Sequence, residues 1–112
     1  MDILFSSEAL RRLCHEDELA LRTLGPAVVR RLHTRLDDLS AAASLAYAAK
    51  LPGRFHRLTG RNPHSRFVIN LCSGFRLVIV PSVTPIPLHF DGFPDLDKIT
   101  TITVISIGKQ HD

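Results

Sequence analysis

The chain changes its hydrophobic period near the middle. In the first half, apolar side chains recur every three or four positions, the spacing of a helix with one buried stripe. Ahead of them, Ile3 and Phe5 alternate with Asp2 and Leu4 and predict a short strand. Ser6 and Ser7 offer N-cap oxygens, and Glu8 falls in the first turn, where the helix dipole favours it. Leu10, Leu13, Cys14, Leu19 and Leu24 then predict one helix from Ser7 to Leu24, with a break near His15 and Glu16. Gly25 ends that helix and Pro26 starts the next, in keeping with Gly past a C-terminus and Pro at a first helical position. In the second helix Val28, Val29, Leu32, Leu36 and Leu39 form the apolar stripe. Arg30, Arg31, Thr34, Arg35, Asp37 and Asp38 fill the polar one. The very short connection predicts an antiparallel helix hairpin. Ser44 caps a short third turn through Ala49, and Pro52 and Gly53 end the helical half.

The second half reads in strands. Phe55 to Leu58 is the first candidate, and Gly60, Asn62 and Pro63 make a turn after it. Phe67, Ile69 and Leu71 alternate with Arg66, Val68 and Asn70. Ser73 and Gly74 predict a tight hairpin connection into an apolar central strand, Phe75 to Val80. Pro81, Pro85, Pro87 and Pro94 mark a long irregular connection reaching Asp97. Ile99 to Ile107 is the last strand, apolar at both odd and even positions, which predicts burial on two faces. The expected fold is α+β: an N-terminal strand, an α-helix hairpin, then an antiparallel sheet of three to four further strands, in a single domain over residues 1–112.

Composition narrows the class. The 112 residues are 45% apolar and 22% charged, the balance of an ordinary globular protein rather than a disordered one. No apolar run approaches the roughly 20 residues of a membrane span. No basic stretch precedes an apolar one at the N-terminus, so the expectation is a cytoplasmic chain without membrane partners. Cys14 and Cys72 lack metal-ligand spacing and are expected to stay reduced.

The net charge is only +3, but its distribution is uneven. No Asp or Glu occurs between Asp38 and Asp91, a stretch holding Lys50, Arg54, Arg57, Arg61, Arg66 and Arg76. His56, His64 and His89 lie there too. A one-sign patch dominated by Arg suits phosphate oxygens or an acidic protein partner. The same residues also describe a plain solvated basic face.

No Walker loop, Gly-rich dinucleotide motif, HExxH or CxxC pair is present, and the histidines lack local metal spacing. What remains is an arginine–histidine set. Arg66 and Arg76 flank the predicted hairpin, His56 and Arg57 stand in the strand before it, and His111 follows the last strand. Convergent Arg and His suit RNA cleavage without metal. Arg stabilises the charge that develops on a phosphorane-like transition state. His donates a proton to the leaving 5′-oxygen or accepts one from the 2′-hydroxyl.

Several short stretches carry a family resemblance in order. They are Met1 to Ile3, Phe5–Ser6, Leu10 to Cys14, Leu24–Gly25–Pro26, and Arg31, Leu32, Arg35, Leu36 and Leu39. Leu51–Pro52–Gly53, His56, Leu58 and Gly60 follow, then Phe67, Leu71, Arg76, Leu77 and Pro81, and finally Lys98 to Thr100, Ile102 and His111. Over nearly its whole length the chain resembles a HigB-type killer protein of the RelE/ParE superfamily, the toxin half of bacterial type II toxin–antitoxin pairs. The resemblance implies the same strand–helix–helix–strands fold. It also implies a ribosome-dependent mRNA endonuclease (an mRNA interferase) that inhibits translation, needs no metal or cofactor, and uses the mRNA's own 2′-hydroxyl.

Residue by residue, Arg76 matches the family's sheet arginine, taken to hold the scissile phosphate. His111 matches its C-terminal histidine, taken to act in proton transfer, and His56 matches the histidine opening its His-x-Leu-Lys-Gly-like segment. The chain departs from the pattern at Thr59, where many relatives carry Lys, and at Gln110, where many carry Tyr. Gly108 and Lys109 replace an acidic pair. Thr59 supplies no cation and Gln110 does not stack on a base. Arg57, Arg61, Arg66 and Lys109 are the residues available to replace the charge in binding RNA. The implied partners are a cognate HigA-like helix-turn-helix antitoxin, the ribosome and mRNA, with operator DNA reached only through the antitoxin. The departures keep two other readings open: a non-enzymatic ParE-like gyrase inhibitor, and a degenerate relative that binds its antitoxin or RNA without cutting.

Overall fold

The computed structural model describes residues 1–50, 66–83 and 85–109, and the backbone of 56–57. The elements are β1 (Asp2–Phe5), α1 (Glu8–His15), α2 (Asp17–Leu24), α3 (Pro26–Ala41), α4 (Leu45–Ala48), β2 (His56–Arg57), β3 (Phe67–Asn70), β4 (Phe75–Pro81) and β5 (Thr101–Lys109). A 3₁₀ turn, Leu96–Lys98, precedes β5.

Local chemistry sets the helix ends. Ser7 caps α1 by accepting the Leu10 N–H at 3.1 Å, satisfying one orphan donor of the first turn. The break between α1 and α2 falls at Glu16, whose backbone is extended. Arg12 bridges that break, donating from Nε to the Glu16 carboxylate at 2.7 Å. Gly25 has φ 88° and ψ 160°, a region essentially reserved for glycine, and it turns the chain directly into α3. On α3 the buried stripe is Val28, Val29, Leu32 and Leu39, with the fifth predicted member, Leu36, only partly buried. Arg35 departs from that pattern. It is only 7% exposed, and its Nη1 donates to Asp38 Oδ2 at 3.0 Å. A long stem lets the side chain lie within the packed flank while one end keeps a carboxylate partner.

The five strands form one sheet in the order β1-β5-β4-β3-β2. The four later strands are antiparallel neighbours, as expected. The N-terminal strand instead runs parallel to β5, so the sheet is mixed. Its register pairs Ile3 with Ile102 and Phe5 with Val104, which puts four apolar side chains on the side the helices cover. A one-residue slip would move all of them to the wrong face. Between β3 and β4, Ser73 (φ 58°) and Gly74 (φ 80°) both take positive φ, the mark of a primed hairpin turn.

The main core lies between the helices and one face of the sheet. Phe67, Ile69, Leu77, Ile79, Ile102 and Val104 meet Leu32, Leu39 and Leu45 there. The mixed parity of β5 has a different cause from burial on two faces. An irregularity between Val78 and Ile79 shifts the register, so that Ile79 pairs with Val104 but Leu77 pairs with Ile107. Val104 and Ile107 thereby both pack against the same core. A bulge of this kind changes the phase of one strand against its neighbour.

The opposite face is different. Val68 and Val78 are cross-strand partners there and are buried outside the main cluster, as is Ile86. The Pro-rich connection is not irregular throughout. Leu88 and Pro94 form a bridge, and the His89 N–H donates to Phe93 O at 2.8 Å. Phe90 is fully exposed at the tip of this small hairpin.

Candidate functional site

Arg76 stands in β4, the middle strand of the sheet, on the face away from the main core. Its core-side neighbours in sequence are Phe75 and Leu77, and strand alternation turns Arg76 the other way. Asn70 of β3 and Gly108 of β5 are its cross-strand partners. A side chain at Gly108 would meet nothing within 4 Å. Among the described residues, one flank of Arg76 is thus an amide and the other is open space. Strands β3, β4 and β5 contain no Asp or Glu, so no acid competes for the guanidinium along its own row. Such a group, half-exposed and planar, suits a phosphate oxygen pair.

Of the other expected cations, Arg66 and Lys109 are among the described residues. Arg66 is exposed, one residue before β3. Phe67 pairs with Ile79 and Asn70 with Arg76, so Arg66 lies four residues along β3 from the Arg76 level, roughly 13 Å away. Lys109 pairs with Phe75, and its Nζ lies 5.6 Å from the centre of the Phe75 ring. Because Phe75 belongs to the helix-side packing, Lys109 sits on the opposite face from Arg76. Backbone position 56 pairs with Val68 and position 57 with Phe67. The side chains of His56 and Arg57, with Arg61 and His111, lie outside the described residues.

Clear shifts in proton affinity among the described residues occur on α1 and its C-cap. Hydrogen bonds from Arg11 and Arg12 hold the Glu8 and Glu16 carboxyls below their usual range. Burial pushes the Cys14 thiol up to about 11. A cavity of about 560 Å³ runs along β1 to Arg11 and His15, at the far edge of the sheet from β3. Among the described residues no three His, Cys, Asp or Glu side chains come together as a metal site. No described helix is long and apolar enough to cross a membrane.

Comparison with known proteins found no matching family model, no matching curated protein and no matching solved structure. The fold class stands on the coordinates: α+β, with a helical layer on one face of a mixed sheet. Asn70 and Gly108 were not legible as site residues beforehand. Only the strand register makes them neighbours of Arg76, and no spacing in the sequence encodes it.

Proposed function

We propose that this chain is the toxin of a type II toxin–antitoxin pair, cutting mRNA on the ribosome without a metal, in the manner of the RelE/ParE superfamily. The observation that carries the reading is Arg76: central in the sheet, on the helix-free face, between Asn70 and the side-chain-free Gly108. The order of elements, with a first strand parallel to the last and a helix hairpin between, supports it.

In this reading the mRNA's 2′-hydroxyl attacks the adjacent phosphorus and the 5′-oxygen leaves, closing a cyclic phosphate. Arg76 stabilises the negative charge that builds on the phosphoryl oxygens. His56 takes the 2′-hydroxyl proton and His111 protonates the departing oxygen, the two proton transfers that the cut requires. Arg57, Arg61 and Arg66 bind the RNA backbone. Lys109, on the other face, contributes to the long-range field that draws the RNA in rather than to the cut. A HigA-like antitoxin neutralises the toxin by covering this basic surface with acidic and apolar side chains.

Primer extension on translating ribosomes tests this, with wild type beside His111→Ala. The expected result is discrete cuts in the A-site codon that vanish in the variant. No cuts from folded protein on active ribosomes would remove the nuclease reading. Gyrase inhibition in a parallel assay would then select the ParE-like one.

A further inference from the structure

A second basic site lies on the other side of the molecule, away from Arg76. The flank of α3 and the β3–β4 turn enclose a cavity of about 450 Å³ lined by Ala27, Arg30, Arg31, Thr34, Arg35 and Cys72. Three arginines line it, and no carboxylate does. Arg30 and Arg31 are exposed and make no ion pair among the described residues. Thr34 is already committed, its Oγ1 donating to Arg30 O at 3.0 Å.

Arg35 is the informative member. Its side chain is 9% exposed, and Nη1 binds Asp38 at 3.0 Å. Its Nε is buried and has no hydrogen-bond partner among the described residues. A buried charged donor left unmade is costly, and proteins rarely keep one without a use. Asp38 holds one end of the fork in place. Arg35 also lines the cavity, so an anion entering it meets an arginine already held by that carboxylate. The volume exceeds what a bare oxyanion needs and falls within the range of small-ligand sites.

We propose that this flank of α3 is a phosphate-binding site, in which Arg30, Arg31 and Arg35 hold the phosphate oxygens and Cys72 sits beside the ligand. The ligand class is a phosphate ester, either a free phosphorylated small molecule or a phosphodiester of an RNA chain. Arginine is the side chain for this work, because its planar fork matches phosphate bidentately. The site is independent of the toxin reading, since none of its residues lies on the Arg76 face.

Cys72 provides a local reporter. It is partly exposed, whereas Cys14 is buried with a thiol pushed up to about 11 and so reacts far more slowly near neutral pH. Alkylation of Cys72 is followed while inorganic phosphate, or a short RNA oligonucleotide, is titrated in at constant ionic strength. The expected result is saturable protection by phosphate that sodium chloride does not reproduce. Arg31→Ala weakens the apparent affinity about tenfold, the loss of one charged hydrogen-bond partner. The double variant R30A/R31A, both positions exposed and so expected to fold, loses protection. Protection by RNA far below the phosphate concentration required identifies the phosphodiester, and equal potency identifies a free phosphate compound. Absence of protection beyond the salt control, or unchanged protection in the double variant, overturns the proposal.

Discussion

On the helix-packed face of the sheet, Leu77, Ile79, Ile102 and Val104 are completely buried. On the other face the same strands carry Arg76, Asn70, Thr103 and Ser106 at partial or full exposure. Both faces belong to one backbone, and alternation assigns each residue to one or the other. The helix face has apolar side chains in contact and little room for change. The open face has polar groups spaced along strands that contain no acid. The helix side thus holds the main apolar core and the other side the half-exposed sheet arginine, and substitutions should separate the two.

The largest effect is expected in the core. Leu77→Ala leaves a cavity between β4 and the helices and should cost about 2–5 kcal/mol in urea unfolding. A smaller loss would mean that the helix layer packs loosely. Next is the turn that folds the helices onto that face. Gly25→Ala forces a side chain into a glycine-only region and should cost about 1–3 kcal/mol, read as a lower unfolding midpoint at unchanged slope. The helix face also contains a titrating group, Cys14, whose thiol rises from 9.0 to about 11 on burial. Its folded pKa lies above its unfolded one, so the associated stability is complete below pH 9.0 and is lost as pH rises toward about 11. A pH series of unfolding curves should show that decline in wild type and lack it in Cys14→Ala. The smallest stability effect belongs to the open face. Arg76→Ala should stay within about 0.5 kcal/mol of wild type, and a larger loss would show that Arg76 helps hold the sheet.

The helical half was legible in the sequence because its signals are local. Val28, Val29, Leu32 and Leu39 mark α3, Gly25 and Pro26 mark its start, and the break at Glu16 follows the polar run His15–Asp17. The strands β3 and β4 were equally plain, an alternating run and a strongly apolar one on either side of a Ser–Gly turn. Features that depend on distant partners were not legible. The parallel pairing of β1 with β5 joins residues about a hundred positions apart, and no local pattern encodes it. The β5 parity suggested two buried faces, when a bulge opposite Val78 and Ile79 explains it. Arg35 looked like one more polar-face residue, because spacing alone does not reveal a buried guanidinium beside Asp38. Of the candidate site only the residue types were legible, and Arg76 lies half-exposed in β4. Its separation from Arg66, and the placement of Lys109 on the other face, required the register.

The most direct test joins both halves of the comparison in one variant. Arg76→Ala is purified, its unfolding free energy is measured, and the same preparation is assayed for mRNA cleavage on translating ribosomes. The account predicts near-wild-type stability together with loss of the A-site cuts. Full cleavage by the stable variant would contradict it, and would move the chemistry off the open face of the sheet.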